Sequence, residues 1–395
     1  MLSVKRTTGG RVVARNRCRR GDRTLLLALA ILSASLASPS AAASPSTPRE
    51  RVAVAVPDVA NLQFLAFWIA VGAGYFADEG LDVDVTAPAS PALVQSMFQG
   101  GSPPFAVLPA PDFERLVAEQ YPIELVANLL ANDPIELVMK REIAAARGID
   151  RSQPLAVRLQ RTKGLRIGVA PNPRARFDAL YRSQGLDAAQ LVHVETIRGE
   201  NQDEAFGSGA VDALYAHTPY LERALLEGDG VLVVDQAGGE VPALAGRQIH
   251  ALVVKRAFAD AEPRTVAAMV HAIARAESLV HADAVAATDA ILRSVTRYDR
   301  THVAKLVELY AAAVPKSPDV SATKIARELA FFPSMGAAPD LSRIDLDRFV
   351  RARADRAPAG SQRGTRMVIL LVFCALAVAY ALGESSSAGR RDTSL

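Results

Sequence analysis

His217, Thr218 and Tyr220 fall within four positions directly after the apolar run DALYA (residues 212–216). Asp58, Asn61 and Gln63 crowd the segment after a second run, RVAVAV (residues 51–56). Both groups set short hydrogen-bonding side chains beside rings, with Phe64, Phe67 and Trp68 following the first loop and Tyr215 preceding the second. Polar groups mixed with aromatic faces grip and stack a small organic molecule; nothing here pairs a nucleophile with an adjacent base. Phe67 and Trp68 equally suit packing of a helix onto its sheet, and strand alternation sends Tyr215 into either cleft or core. After a third run (residues 165–170), Asn172 suits a helix cap as well as a ligand contact, and Arg174 and Arg176 are placed to pair with an anion. Pro109 and Ala110 close a fourth run, FAVLP (residues 105–109).

Covalent and metal chemistry find no support. The sequence contains no GxxxxGK[ST], HExxH, CxxC or nucleophile-elbow pattern. His193, His250, His271, His281 and His302 stand in separate segments without metal-ligand spacing, so neither metal nor cofactor is expected. The two cysteines, Cys18 and Cys374, lie near the ends, which leaves the central region without a disulfide framework or thiolate site. Of the overall charge of +3, residues 1–23 carry +7 and residues 348–395 carry +5, so residues 24–347 hold −9. An acidic centre argues against a nucleic-acid partner, which needs a basic face to neutralise phosphates.

The elements that must position these loops alternate. Residues 51–56, 81–86 and 105–109 read as strands, separated by helical patterns over 64–79 and 91–99. The order restarts with strands at 165–170, 191–196 and 212–216 and helices at 174–184 and 201–206. Strand–helix–strand succession implies parallel pairing with right-handed crossovers, hence an α/β fold of two lobes. Residues 134–140 form a strand leaving the first lobe and 248–256 a strand returning to it; residues 263–354 read as helices. The expected boundaries are 51–138 with 250–354 for lobe one and 139–249 for lobe two. In open parallel sheets, ligands sit beyond the carboxyl ends of the strands, which points to the loops at 57–63, 109–112, 170–174 and 216–220. Gly72, Gly74 and Gly80 answer backbone needs, Gly80 as a left-handed helix terminator.

The ends read as membrane-handling segments. An Arg-rich start, an apolar stretch at 25–36 and Ala41-Ala42-Ala43 follow the order of a secretory signal peptide over residues 1–43, with a linker at 44–50. Residues 367–382, MVILLVFCALAVAYAL, are uncharged and polar on no face. They are expected to form a transmembrane helix that anchors the exported domain, between a basic linker (355–366) and a polar tail (383–395). This places Arg356, Arg363 and Arg366 outside, against the usual bias of basic residues toward the cytoplasm, although long exported domains translocate largely regardless of charge.

IAVGAGYFADEGLDVDV (69–85), FQGGSPPFAVLPAP (98–111), NDPIELVMK (132–140), KGLRIGVAPN (163–172) and AFGSGAVDALYAHTPYLERAL (205–225) occur in that order. Together they resemble the ABC-transporter substrate-binding proteins for thiamine pyrimidines, sulfonates, taurine and nitrate, over about residues 51–290. The resemblance implies a two-lobed type II periplasmic binding protein fold and a monomer that captures a small-molecule ligand outside the cytoplasm. It also implies an ABC permease and ATPase as partners, and no enzymatic activity. The ligand-binding set is then Asp58, Asn61, Gln63, Phe64, Pro109, Ala110, Asn172, Arg174, Tyr215, His217, Thr218 and Tyr220. A fungal pyrimidine synthase of the same fold relies on a cysteine-rich motif with an active-site Lys and His. The lobes here contain no Cys, and the loop PDVANLQF has neither Lys nor His. A membrane-anchored ligand sensor without a transporter is the further alternative.

Overall fold

The computed structural model describes residues 48–351 apart from 60–61, 89, 172, 227–228 and 332–343. The expected leader, the apolar run at 367–382, Asn61 and Asn172 lie outside the described residues. Among the described residues no helix is long and apolar enough to cross a membrane.

Val- and Ala-rich runs with a period of two build the first sheet. Strand β1 (Glu50–Ala55) pairs in parallel with β2 (Leu81–Thr86), with Val54 opposite Val85, and with β3 (Phe105–Pro109), with Val54 opposite Phe105. β4 (Ile123–Leu130) and β10 (His250–Lys255) complete it in the order β2-β1-β3-β10-β4, and β10 runs antiparallel to both neighbours. The second sheet repeats the plan. β6 (Arg166–Val169) lies parallel to β7 (His193–Thr196) and β8 (Ala213–Ala216). β5 (Glu136–Lys140) runs antiparallel to β8 and to β9 (Gly230–Val234), giving β7-β6-β8-β5-β9. β4 and β9 are too uniformly apolar or too short for periodicity to single them out.

In each sheet the antiparallel fourth strand follows a crossing: β5 is reached from the first sheet, β10 from the second. All of β5 pairs within the second sheet, so the outward crossing falls at residues 131–135 and a boundary at 138/139 would cut that strand. The two crossings are stapled together. Arg247 N donates to Ala131 O (2.8 Å), Gly246 N to the Asn132 side-chain oxygen (3.0 Å), and Asn132 Nδ2 to Ala237 O (2.8 Å). The buried Glu136 carboxylate accepts from Gln236 N (2.6 Å) and Ala237 N (3.1 Å).

The helical pattern at 64–79 is broken in the structure. A 3-10 turn (Leu62–Phe64) leads into a helix at Leu65–Gly72, which stops before Gly74 at φ 76°; a short helix, Tyr75–Asp78, then ends at Gly80 with φ 81°. Such positive φ values cost a non-glycine residue because its Cβ crowds the backbone. Helix Pro263–Ala282 packs on the first sheet, Ala284–Ser294 on helix Leu65–Gly72, and Arg300–Tyr310 on Ala284–Ser294 and on the second-lobe helix Tyr220–Leu226, with Phe67, Ile69, Leu252, Ile273 and Ile291 in a shared buried core. That core also takes in Leu214 and Leu221 of the second lobe, so apolar packing spans both.

Gly72 allows a close approach between two helices. A Cβ there would lie 1.8 Å from Ala290 O, and the contact is locked by Arg293 Nε donating to Gly72 O (2.7 Å) and Ser294 Oγ to Trp68 O (2.9 Å). Gly72→Ala is expected to lower folding stability by about 1–3 kcal/mol or more, the range for overpacking. Denaturant midpoints measure it, and an unchanged midpoint contradicts the close approach.

Candidate functional site

A cavity of about 480 Å³ opens between the lobes. The first lobe contributes Asp58, from the loop after β1, and Arg297, Tyr298 and His302, from the turn and first residues of helix Arg300–Tyr310. The second contributes His217, Thr218, Pro219, Tyr220 and Arg223, from the loop after β8 and helix Tyr220–Leu226, together with Asp203. Tyr298 and His302 stack with centroids 6.0 Å apart at 23°, and His217 and Tyr220 sit 6.0 Å apart at 55°. Rings from both lobes therefore line one hollow, the arrangement that stacks a flat or compact organic ligand. Arg223 Nη1 pairs with Asp203 at 2.9 Å, and two acids against two guanidiniums leave the walls nearly balanced in charge.

Local structure sets each side chain. Tyr220 starts its helix and closes on Gly199, where a Cβ would lie 2.7 Å from the ring. His217 Nδ1 meets Thr218 O at 2.6 Å, so this nitrogen carries the proton. Burial holds the His217 pKa below 6.5; the Thr218 carbonyl opposes the shift and the Arg176 charge reinforces it. Glu222 is buried on the hidden side of the same helix, and burial pushes its carboxyl up to about 7.

The other expected residues separate. Gln63 and Phe64 are buried beneath the mouth: Gln63 Oε1 meets His250 Nε2 at 2.9 Å, and the Phe64 ring lies 4.8 Å from the imidazole. Pro109 is half-buried opposite His250, and Ala110 is buried with its N–H already given to Ile249 O (2.9 Å). Arg174 pairs with Asp178 one turn on (3.1 Å). Tyr215 turns away from the cavity into the second core, donating to Gln236 Oε1 (2.9 Å) with Phe177 at 5.3 Å. β8 is buried on both faces, so alternation assigns it no solvent side. Phe67 and Trp68 likewise pack in the first core, 5.3 Å apart edge to face.

Behind the cavity lies a buried ion cluster. Asp133 on the outward crossing accepts from Arg247 and forms an ion pair with Arg176, whose Nε lies 3.0 Å away. Glu328 of helix Ala322–Phe331 meets Arg247 Nη1 at 2.8 Å and Arg176 Nη2 at 4.0 Å. Burial, reinforced by the Glu328 charge, pushes nearby Glu114 up to about 9, so it stays protonated at neutral pH. Burial also raises Glu328, to about 7, against the opposing charges of Arg247 and Arg176, so Asp133 and a partly ionised Glu328 face the two guanidiniums. Spacing gives no signal for this cluster, whose members stand far apart in the chain, and Arg297, Tyr298 and His302 follow no strand end. Among the described residues no grouping of three or more His, Cys, Asp or Glu could hold a metal ion.

Two five-stranded sheets of matching order, two crossings and a cavity between them define a periplasmic-binding-protein-like fold. The chain belongs to the NMT1/THI5-like family, whose model matches residues 61–287. No curated protein matches the chain. Among solved structures, a protein of Bordetella bronchiseptica RB50 is 21% identical with a TM-score of 0.58, over 78% of this chain and 96% of that one. The alkanesulfonate-binding protein SsuA from Xanthomonas axonopodis pv. citri, bound to MOPS, is 16% identical with a TM-score of 0.54, over 77% and 99%. DSZB in complex with biphenyl-2-sulfinic acid is 15% identical with a TM-score of 0.52, over 75% and 96%. At these identities the likeness is one of fold.

His250 gives the site a measurable signature. Burial, followed by the charges of Arg176 and His217, lowers its pKa from 6.5 to about 3. The unfolded chain therefore binds more protons between those values, and stability falls as pH drops through that window. His250→Gln is expected to remove about 2 kcal/mol of the stability lost between pH 7 and pH 5. Urea titrations at both pH values test this, and equal losses in the two proteins contradict a neutral His250.

Proposed function

We propose that this chain is an extracytoplasmic solute-binding protein of an ABC importer, capturing a small organic or oxyanion ligand between its lobes. The observation that carries the reading is the shared cavity, in which Asp58, Tyr298 and His302 of one lobe face His217, Tyr220 and Arg223 of the other. A ligand touching both walls stabilises the closed arrangement by its differential contacts, with no covalent step required. Neighbours of the same fold that are named for alkanesulfonate binding support a ligand with an acidic head group. DSZB is an enzyme on this fold, so the fold does not by itself exclude catalysis. The absence of Cys between Cys18 and Cys374 supports a receptor over a thiol-based enzyme.

In this reading the leader (1–43) directs export, the apolar run (367–382) anchors the domain in the cytoplasmic membrane, and permease and ATPase subunits receive the ligand. The anchor also suits a receptor that signals to a membrane sensor, since tethering raises the local concentration of any membrane partner. Co-purification with a permease or with a kinase distinguishes the two.

A thermal-shift screen with alkanesulfonates, aminopyrimidines, nitrate and flavins is expected to find one class that stabilises the protein by about 2.7 kcal/mol at a hundredfold excess over Kd. Asp58→Ala and His217→Ala should each weaken that ligand about tenfold or more, or ~1.4 kcal/mol. Unchanged affinity in both variants places the ligand elsewhere. Ending the chain after residue 366 should shift the protein from the membrane fraction to the soluble exported fraction; retention in the membrane contradicts the anchor.

A further inference from the structure

A second hollow, of about 450 Å³, adjoins the cavity between the lobes, and the two share Arg223, Arg297, Tyr298 and His302. These four residues therefore form a common wall. Asp58, His217 and Thr218 line the first hollow alone, whereas the second is bounded by the exposed Asp299 and Thr301. The first is thus the inner chamber and the second its approach from solvent.

The common wall carries one guanidinium from each lobe. Arg223 stands on helix Tyr220–Leu226 of the second lobe, and Arg297 in the turn before helix Arg300–Tyr310 of the first. Arg223 pairs with Asp203 but keeps half of its side chain exposed, and an ion pair so exposed holds its partners weakly. Arg297 is exposed and makes no ion pair among the described residues. Guanidiniums open to water on one side offer a planar fork to a carboxylate without the desolvation cost of a buried seat. The inner chamber has the opposite chemistry. Asp58 is an acceptor, and His217, whose Nδ1 proton goes to Thr218 O, keeps Nε2 as a second acceptor. The stacked rings of Tyr298 and His302 give a flat body a face to lie on.

We propose that the inter-lobe site is polarised for a flat organic acid that carries a hydrogen-bond donor opposite its carboxylate, with Arg223 and Arg297 as the residues that determine specificity. This inference rests on the receptor reading and narrows its ligand class. The carboxylate points outward to the common wall, where it takes a guanidinium from each lobe, and the donor points inward to Asp58 and His217. A bare oxyanion satisfies the wall but leaves the inner acceptors unmatched, so it binds weakly. An acid at both ends meets the Asp58 carboxylate and is repelled.

Calorimetric titration of the full-length protein with 4-aminobenzoate, benzoate and 4-aminobenzamide tests both ends of the site. The first probe should bind about tenfold or more tightly than benzoate, which lacks the donor, and than 4-aminobenzamide, which lacks the charge. Arg297→Gln and Arg223→Gln should each weaken 4-aminobenzoate about tenfold and leave 4-aminobenzamide unchanged, while Asp58→Asn should weaken 4-aminobenzoate and leave benzoate unchanged. Arg300→Gln is the control of equal charge: Arg300 pairs with Asp289 and lines neither hollow, so affinity should stay at the wild-type value. Equal affinity for the three probes, no binding of any of them, or a loss in Arg300→Gln as large as that in Arg297→Gln overturns the assignment. The receptor reading fails by a different result, the lack of any hit in the thermal-shift screen. A hit whose affinity survives both Arg297→Gln and Arg223→Gln overturns this inference alone.

Discussion

The carboxylate of Asp133 is the point at which both halves of the molecule meet. It stands on the outward crossing, fully buried, and takes a guanidinium from the second lobe (Arg176) and one from the return crossing (Arg247). Breaking a buried pair of this kind typically costs about 3–5 kcal/mol, because the remaining charges are stranded away from water. The crossings are further tied by Asn132 and Glu136, whose side chains satisfy backbone groups of residues 236, 237 and 246. The two crossings are short, as hinge connections are, and run beside an apolar core that takes in residues of both lobes.

The lobes on either side are built alike. Each is a five-stranded sheet whose three parallel strands end in loops on the cavity side and whose antiparallel fourth strand leads from a crossing. Because the chain passes between lobes twice, the loop after β1 and the loop after β8 come to face each other, although about 160 positions separate them. Function on this fold comes from what those loops carry, here hydrogen-bonding groups and rings set around a nearly charge-balanced hollow.

Much of this was legible in the sequence, because strands and βαβ succession write themselves as local periodicity. β1, β2, β3, β6, β7 and β8, the parallel core of both sheets, follow directly from Val-rich runs separated by helical patterns. Asp58, His217, Thr218 and Tyr220 could be named since they stand at strand ends. Tyr215 could not be oriented, as β8 is covered on both faces and alternation carries no sign there. Gln63 and Phe64 follow the right strand but turn down onto His250, a partner 187 positions away from Gln63. Arg297, Tyr298 and His302 arrive from the helical segment that follows both sheets, and Arg247 and Glu328 join Asp133 only through tertiary packing. Spacing along the chain records none of these encounters.

The central claim is that two lobes close about the crossings on a ligand held in the shared cavity. It is tested most directly by the distance between spin labels at exposed Leu93 of the first lobe and Val157 of the second, with Cys18 and Cys374 replaced. Pulsed dipolar spectroscopy should show the inter-label distance change and its distribution narrow when a ligand from the stability screen is added. A distribution that stays the same while calorimetry reports binding would contradict the account.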